Sequence, residues 1–529
     1  MTTAEGGGRA PLWARLGLLA TIAVFLAVSL WWLLADSRIL DWDSGRHMFN
    51  TWAMRSALEG GDLGAPVTLD NVNHYPPLLY LVGAAGMTVA GSWQNLDAAM
   101  MAMNLVFVPL LALGCWGTAR LAYGELAGVL AAIFALGAPF VISAFHLYML
   151  DVPQAALVAT TVWLLLASRR FERRGISALA GLAAAGGMLL KPTTALFLLG
   201  PVLVILARGG WRQPLGLLAF AAVPIVLAGP WYLEQYDNLL GLTKGASTTE
   251  GTAAAGSSYV TPYRWTLENA LWYGWNLVNL QLLAPLFAFF AVGLVVAVVR
   301  FARTRATEDP TPELVIGGLV SYLGATFITL KDYRYSLSVL VFVAALAVAW
   351  VPALRGIKLR VAAGALVAVA VVNLAAVSTN TGPDVAISLA GDRKPTPLGE
   401  RTLRIFNPNG YIANKPRDDS GVLEVMRGLR EEGWRKLQYT TTGDLHFTDT
   451  GVAVVETIAG LELPASWNPA DMEPDVPLLL RKAVEPEDPP PCARIEDGWG
   501  IYVVHQRDTT VPFEDYNLIC PEAVANARR

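Results

Sequence analysis

The chain has 529 residues, of which 54% are hydrophobic and only 16% are charged, and its mean hydropathy is +0.44. These values are typical of a membrane protein with many spans and exclude an ordinary soluble globular protein. The formal net charge is only -4 and the sequence has no long run of like charge, which excludes nucleic acid as an expected partner.

The first apolar run, residues 12–35, is longer than the core of a signal peptide, and no cleavage pattern of the A-x-A kind follows it. We expect it to be a retained membrane span. The stretch "DWDSGRHMFNTWAM" then places Asp43 and Arg46 where this span leaves the bilayer, and residues 47–58 are predicted to form a helix lying along the interface. Asp43 is either a general base or, with Asp41, a cap of that helix.

Further apolar runs long enough to cross a bilayer follow along the chain. They lie near residues 98–119, 125–145, 152–168, 213–232, 272–299, 313–330, 336–353 and 361–378. Residues 176–207 are too long for one span and are interrupted by "KPTT", so we predict a hairpin of two short helices with Lys191 near its outer tip. Residues 76–91 are predicted to be a short helix that dips into the outer leaflet.

Basic residues indicate the cytoplasmic ends, because short cytoplasmic loops carry an excess of Lys and Arg. Such residues lie at Arg9, Arg15, Arg120, 169–174, Arg208, Arg212, 300–305 and 355–360. This distribution predicts about 11 crossings, with the N-terminus inside, the C-terminus outside and residues 36–92 as the first outer loop. An interfacial aromatic belt is predicted for Trp265, Trp272, Tyr273 and Trp275.

Charged residues beside a bilayer are functional candidates, because they require a partner or a water-filled cavity. Asp151 in "LYMLDVP" begins a span, where a helix-start role is the alternative to an acid–base role. Lys191 either meets an anion or extends to the lipid headgroups. Lys331 and Arg334 in "KDYRYSLS" place two cations in a short outer loop, which fits a phosphate group, with lipid headgroups as the alternative.

After about residue 377 the composition becomes polar, and the apolar runs shorten to strand length, as in "GVAVVET" and "GIYVVHQ". We predict a membrane domain over residues 1–378 and an outer α/β domain over residues 379–529, in which "SGVLEVMRGLREEGWRKLQ" forms a helix. Cys492 and Cys520 of this domain either form a disulfide, if the compartment is oxidising, or are unrelated thiols.

Six motifs taken in chain order resemble the successive landmarks of the GT-C glycosyltransferases. They are "DWDSGRHMFNTWAM", "HYPPLLYLVGA", "LYMLDVPQAAL", "GGMLLKPTTAL", "GPWYLEQYDN" and "KDYRYSLSVL". The resemblance covers about residues 12–378, and the branch that it favours contains the protein O-mannosyltransferases and the aminoarabinose transferase that modifies lipid A. It implies a polytopic α-helical enzyme that transfers a sugar from a polyprenyl-phosphate carrier to an envelope lipid, glycan or protein on the outer face, usually with inversion.

The resemblance also implies roles for individual residues. Two carboxylates match the catalytic acidic positions, Asp43 and Asp151. Five residues match the positions that bind the donor phosphate, namely Arg46, Lys191, Lys331, Arg334 and Tyr335. A phosphate leaving group requires cations for its charge and a base for the acceptor, so the expected chemistry agrees with these residue types.

His74 and Tyr75 lie before a proline pair, where relatives often carry Glu or Tyr, and they are candidate supporting residues. The chain has five histidines and none at H-x-x-x-H spacing, so the sequence offers no clear zinc site. A loosely bound divalent ion on Asp43, His74 and Asp151 is left open.

Two other classes of function compete with a glycosyltransferase. A flippase or transporter of lipid-linked sugars accounts for the charges in the membrane, but it would carry paired repeats with interrupted helices, and the sequence has no internal repeat. In a receptor or scaffold the outer domain would bind the partner, but so many spans are excessive for an anchor.

Overall fold

The computed structural model describes the chain from residue 10 onward with several gaps. The described residues are 10–38, 40, 42–69, 75–91, 96–239, 266–303, 309–326, 331–388, 402–411, 413, 415–416, 427, 431, 438–442, 478–482, 494–495 and 501–504. They fall into two compact units. The first unit comprises Met1–Trp32, Ala57–Gly83 and Met100–Lys415, and the second comprises Leu33–Ser56, Ala84–Ala99 and Pro416–Arg529.

The described part of the chain is mostly helical. In chain order the α-helices are α1 Leu12–Ala35, α2 Trp42–Glu59, α3 Ala65–Thr68, α4 Leu78–Val89, α5 Leu96–Tyr123, α6 Glu125–Leu136, α7 Pro139–Phe145, α8 Asp151–Ala167, α9 Arg174–Met188, α10 Thr194–Ala207, α11 Pro214–Glu234, α12 Leu267–Asn276, α13 Leu283–Arg303, α14 Thr311–Thr326, α15 Leu340–Ala347 and α16 Gly356–Thr379. Leu277–Leu282 is a π-helical turn between α12 and α13, and Tyr333–Val339 is a 3-10 helix before α15. Shorter 3-10 turns lie at Gly210–Arg212, Val351–Ala353 and Pro408–Gly410.

Within the described ranges, 6 helical segments are long and apolar enough to cross a membrane, and α6 with α7, bent by 62°, adds a seventh if the pair is one span. Helices α4, α8 and α10 are apolar but shorter. The chain is therefore a multi-pass membrane protein, while the predicted count of about 11 crossings stays a prediction.

The helical hairpin predicted around "KPTT" is confirmed, since α9 ends at Met188, α10 begins at Thr194, and Lys191 lies in the turn between them. A proline at position 192 and the lysine before it cannot continue an apolar helix, which explains the break. The short helix predicted over residues 76–91 is also present, as α4. The helix predicted over residues 47–58 begins earlier than expected, at Trp42. Asp43 therefore lies inside its first turn and not before it, and Asp41 lies outside the described residues.

The C-terminal region contains two small sheets among the described residues. Strands β1 Val385–Ser388 and β2 Thr402–Phe406 form an antiparallel pair in the first unit. Four strands of the second unit form a mixed sheet in the order β3-β4-β6-β5, namely β3 Gln438–Thr442, β4 Leu478–Lys482, β5 Arg494–Ile495 and β6 Ile501–Val504. β6 confirms the strand predicted in "GIYVVHQ". The strand predicted in "GVAVVET", most of the helix predicted from "SGVLEVMRGLREEGWRKLQ", Cys492 and Cys520 lie outside the described residues.

Several of the basic loops predicted to be cytoplasmic meet in one polar network of the first unit. Arg208 forms an ion pair with Glu313 and donates to the carbonyl oxygen of Asp309. Arg300 Nε lies 2.8 Å from Asp309 Oδ2, and Arg170 donates to the carbonyl oxygen of Arg208 at 2.9 Å. The network therefore joins the loops after α8, α10 and α13 at one end of the helices. This agrees with the sequence analysis, which placed all three loops on the same side of the membrane.

Candidate active site

A buried ion pair lies where α8 begins. Lys191 Nζ donates to Asp151 Oδ1 at 2.6 Å, and the two residues are 8% and 3% exposed. Gln154, one turn into α8, donates to the hydroxyl oxygens of Thr193 and Thr194 at 2.8 and 3.1 Å. These contacts fix the "KPTT" turn against the start of α8, so Lys191 is buried against a carboxylate and does not extend to lipid headgroups.

The ionisation of Lys191 is determined by two opposing effects. Burial is the largest single effect and lowers the pKa of this amine, but the charge and hydrogen bond of Asp151 together with Tyr75 and Tyr335 raise it by more in total, so the pKa lies above its ordinary value. Lys191 is therefore a cation at neutral pH. Its ammonium group also lies 5.0 Å from the centre of the Tyr335 ring, and Tyr75 lies close enough to interact with it electrostatically.

The 3-10 helix Tyr333–Val339 brings a second cation to this place. Asp332 precedes it and accepts a hydrogen bond from the backbone N–H of Arg334 at 2.9 Å, which caps the helix. The other carboxylate oxygen of Asp332 accepts from Arg334 Nη2 at 2.6 Å and Nε at 2.8 Å. Arg334 Nη1 lies 4.0 Å from Met149 Sδ, two residues before Asp151. Arg334 and Tyr335 therefore lie beside the Asp151–Lys191 pair.

Lys331 is the most buried cation of the cluster, with 2% of its surface exposed. Its ammonium group donates to the carbonyl oxygen of Thr326 at 2.9 Å and lies 4.8 Å from the centre of the Tyr273 ring. In the described part of the chain no carboxylate pairs with it. Burial lowers its pKa to about 8, because a buried ammonium group without a counter-charge is unfavourable. This position suits an anionic ligand.

Other motifs of the sequence are joined to the same place by hydrogen bonds. The Tyr148 hydroxyl donates to the carbonyl oxygen of Leu79 at 3.1 Å. The backbone N–H of Leu78 donates to the carbonyl oxygen of Leu189 at 2.9 Å. Tyr232, from "GPWYLEQYDN", donates to the carbonyl oxygen of Met188 at 3.0 Å. Five of the six motifs that carried the family resemblance therefore meet in the first unit.

The remaining motif, "DWDSGRHMFNTWAM", belongs to the second unit. Asp43 and Arg46 both lie in the first turns of α2, three residues apart on one face of the helix, and both are half-buried. Their predicted roles as general base and phosphate ligand stay predictions, as do those of the residues in the first unit. Tyr75 is half-buried, and His74 lies outside the described residues.

A metal site was left open on Asp43, His74 and Asp151. Within the described ranges, no three His, Cys, Asp or Glu side chains come together in a way that would hold a metal ion. Of the three candidate ligands, Asp151 lies in the first unit and forms an ion pair with Lys191.

Three residues of the site were missed or wrongly interpreted from the sequence. Tyr273 was predicted to lie in an interfacial belt, but it is 1% exposed and its ring faces Lys331. The belt is also wrong for Trp272, which is buried, while Trp265 lies outside the described residues. Asp332 lies in the motif "KDYRYSLSVL", but the sequence analysis assigned it no role. Nothing in the sequence indicated a role for Gln154 except its position one turn after Asp151.

Residues 74–233 match the family model described as dolichyl-phosphate-mannose-protein mannosyltransferase. This segment contains three of the six motifs, "HYPPLLYLVGA", "LYMLDVPQAAL" and "GGMLLKPTTAL", and the first half of "GPWYLEQYDN". No curated protein matches the sequence of the chain significantly.

The fold is similar to that of ArnT from Cupriavidus metallidurans. The structure of ArnT bound to undecaprenyl phosphate aligns with a TM-score of 0.55 at 16% identity, covering 93% of this chain and 97% of that chain. The apo structure of ArnT gives a TM-score of 0.54 at 15% identity with the same coverage. A weaker similarity is to the oligosaccharyltransferase of Archaeoglobus fulgidus, with a TM-score of 0.48, 11% identity, and coverage of 83% of this chain and 63% of that chain.

The matched family and the fold confirm the resemblance to GT-C glycosyltransferases. The chain is thus similar in sequence to a mannosyltransferase family over residues 74–233 and similar in fold to ArnT over most of its length. The region that matches the mannosyltransferase family carries Asp151 and Lys191, the ion pair at the centre of the cluster.

Proposed function

We propose that the chain transfers a sugar from a polyprenyl-phosphate-linked donor to a lipid, glycan or protein of the envelope, on the outer face of the cytoplasmic membrane and with inversion. The observation that carries the proposal is the buried cation cluster of the first unit. Lys331 is buried without a carboxylate partner in the described ranges, beside the Asp151–Lys191 and Asp332–Arg334 pairs. Such an excess of positive charge favours an anionic ligand.

The chemistry follows from a phosphate leaving group. A general base removes the proton from the acceptor hydroxyl, the acceptor oxygen forms a bond to the anomeric carbon, and the bond from that carbon to the phosphate oxygen breaks. The polyprenyl phosphate leaves with the electron pair, and the cations Lys191, Lys331 and Arg334 stabilise its charge. Attack opposite the leaving group inverts the anomeric centre. By the family resemblance, Asp43 is the base.

Asp151 has a second role in this proposal. Since its carboxylate accepts a hydrogen bond from Lys191, it holds that ammonium group in place and is itself a poor proton acceptor. We assign Asp151 to positioning Lys191, and the base to Asp43. The similarity to a protein whose structure is described as bound to undecaprenyl phosphate supports a polyprenyl-phosphate donor. The basic loops that meet near Arg208 support an outer location for the cation cluster, since they lie at the other end of α10.

The proposal is tested with purified protein, radiolabelled sugars on synthetic polyprenyl phosphates and an envelope extract. We expect wild type to transfer label, Asp43→Asn to lose transfer while remaining folded, and Asp384→Asn, a change at an exposed aspartate, to retain it. An active Asp43→Asn variant would remove Asp43 from the mechanism. Movement of the donor across vesicles without any transfer would favour the flippase.

A further inference from the structure

The segment that carries Arg334 and Tyr335 depends on contacts from outside itself. It is a 3-10 helix of 7 residues, Tyr333–Val339, whereas runs longer than about 3–4 residues are uncommon because their hydrogen bonds are poorly aligned. Adjacent side chains on a 3-10 helix point about 120° apart, since it has about 3 residues per turn. A small rotation of this segment would therefore move both the guanidinium of Arg334 and the ring of Tyr335.

Gln281 holds the first turn of this segment. Its side-chain amide nitrogen donates to the carbonyl oxygen of Tyr333 at 2.7 Å and to the hydroxyl oxygen of Ser336 at 2.9 Å. Gln281 is 1% exposed, so water does not compete for these bonds. The amide has two hydrogens and both are used, which neither a leucine nor a glutamate can reproduce. The two acceptors lie on either side of Arg334 and Tyr335 in the sequence.

The backbone around Gln281 is unusual in a way that directs this side chain. It lies in the π-helical turn Leu277–Leu282, and π-helical turns concentrate at functional sites. Leu283, which follows, has φ 59°, a left-handed value that is uncommon for residues other than glycine. Residues of the C-terminal region also hydrogen-bond to this π-helical turn. Asn279 accepts from the backbone N–H of Arg404 at 2.8 Å, and the Tyr411 hydroxyl donates to the carbonyl oxygen of Leu280 at 2.7 Å.

We propose that Gln281 is a positioning residue of the donor-phosphate site, acting through Arg334 and Tyr335. This inference rests on the proposed function, because it assumes that these residues contact the phosphate of the donor. The neighbouring contacts of Asn279 and Leu280 then make the segment Thr402–Tyr411 part of the support of the site. The C-terminal region thereby acquires a role that the sequence left open.

Gln281 is tested by the binding of undecaprenyl phosphate to the purified full-length protein, with the melting temperature measured in parallel. We expect Gln281→Leu to weaken binding about tenfold, the effect of losing one or two buried hydrogen bonds that orient a charged ligand group. The matched control is Asn373→Leu, which also removes a buried amide bond, from Asn373 Nδ2 to the carbonyl oxygen of Gly137 at 3.1 Å. It should lower the melting temperature and leave the dissociation constant unchanged.

A double-mutant cycle separates positioning from a general loss of structure. If Gln281 acts through Arg334 and Tyr335, adding Gln281→Leu to a variant that carries both Arg334→Ala and Tyr335→Ala changes the dissociation constant by less than about twofold. Additive losses, or a Gln281→Leu variant that binds like wild type, would overturn the inference and leave the proposed function intact. Failure of wild type to bind undecaprenyl phosphate would overturn both. If Gln281→Leu does not fold, Gln281→Glu is judged by the same criteria.

Discussion

Lys331 is held by groups that carry no full negative charge, the carbonyl of Thr326 and the ring of Tyr273. Each is weaker than a carboxylate, and neither fully offsets the lost hydration of a buried ammonium group. The consequence is a pKa lowered to about 8, within reach of ordinary pH. An arriving phosphate would supply the missing counter-charge and raise the pKa again.

Deprotonation of Lys331 should change the stability of the protein and its affinity for the ligand in opposite directions. Since the pKa in the folded protein lies below the unfolded value of about 10.4, stability of the unliganded protein should rise with pH between about 8 and 10. Over the same range Lys331 loses its charge, so affinity for undecaprenyl phosphate should fall. Lys331→Arg, which stays charged, should abolish the fall in affinity. If the affinities of wild type and Lys331→Arg fall in parallel, Lys331 is not the cause of the pH dependence.

The Asp151–Lys191 pair predicts a different pattern among its variants. Asp151→Asn leaves a buried cation without its counter-charge, which should reduce stability by about 3–5 kcal/mol. Lys191→Met combined with Asp151→Asn removes both charges and should recover most of that loss, while transfer activity stays low because the phosphate loses a cation.

Chemical unfolding in detergent and the transfer assay together check this pattern. Equal stability of the single and double variants would show that the unpaired charge of Lys191 is not the cause of the loss. Full activity of the double variant would remove Lys191 from the donor site.

At the scale of elements, several helices approach each other at glycines. A Cβ on Gly293 of α13 would lie 2.0 Å from the carbonyl oxygen of Leu346 of α15, and one on Gly200 of α10 would lie 2.6 Å from that of Gly317 of α14. Small residues permit such close packing in membranes, where association depends on van der Waals contact. These contacts hold the helices on either side of the Tyr333–Val339 segment.

Gly293→Ala should therefore destabilise the protein, by about 1–3 kcal/mol, because the facing group is backbone and cannot rotate away. The matched control is Gly364→Ala in α16, where nothing lies within 4 Å of the added methyl group. The control should be neutral or slightly stabilising, since alanine has the higher helix propensity. Melting temperatures of the two variants measure the difference, and equal values would contradict the close contact.

The sequence predicted the elements better than it predicted the contacts of the site. Apolar length and the "KPTT" interruption gave the hairpin of α9 and α10 and placed Lys191 between them, because both signals are local. The partner of Lys191 lies 40 residues away, and no local pattern connects them. Tyr273 was assigned to the interface because aromatic residues at a membrane boundary have the same local pattern whether they face lipid or a buried lysine.

At the scale of the whole molecule, the first unit carries its charges at two ends of the same helices. Helix α10 begins beside the Asp151–Lys191 pair and ends beside the Arg208–Glu313 pair, and its 14 residues correspond to about 21 Å. The network at Arg208 is rich in arginine, as expected for cytoplasmic loops. In the cation cluster Lys191 and Lys331 are buried, whereas Arg334 is half-buried.

The orientation of the chain is tested with cysteines at the two ends of α16, in a variant that lacks Cys115, Cys492 and Cys520. Lys358 and Thr381 are both exposed, so neither substitution disturbs packing. In intact cells a membrane-impermeant maleimide should label Thr381→Cys and leave Lys358→Cys unlabelled until the cells are opened, because the positive-inside rule puts residues 355–360 in the cytoplasm. The reverse pattern would place the cation cluster on the cytoplasmic side, where an envelope acceptor does not reach it. That result would rule out the proposed acceptor.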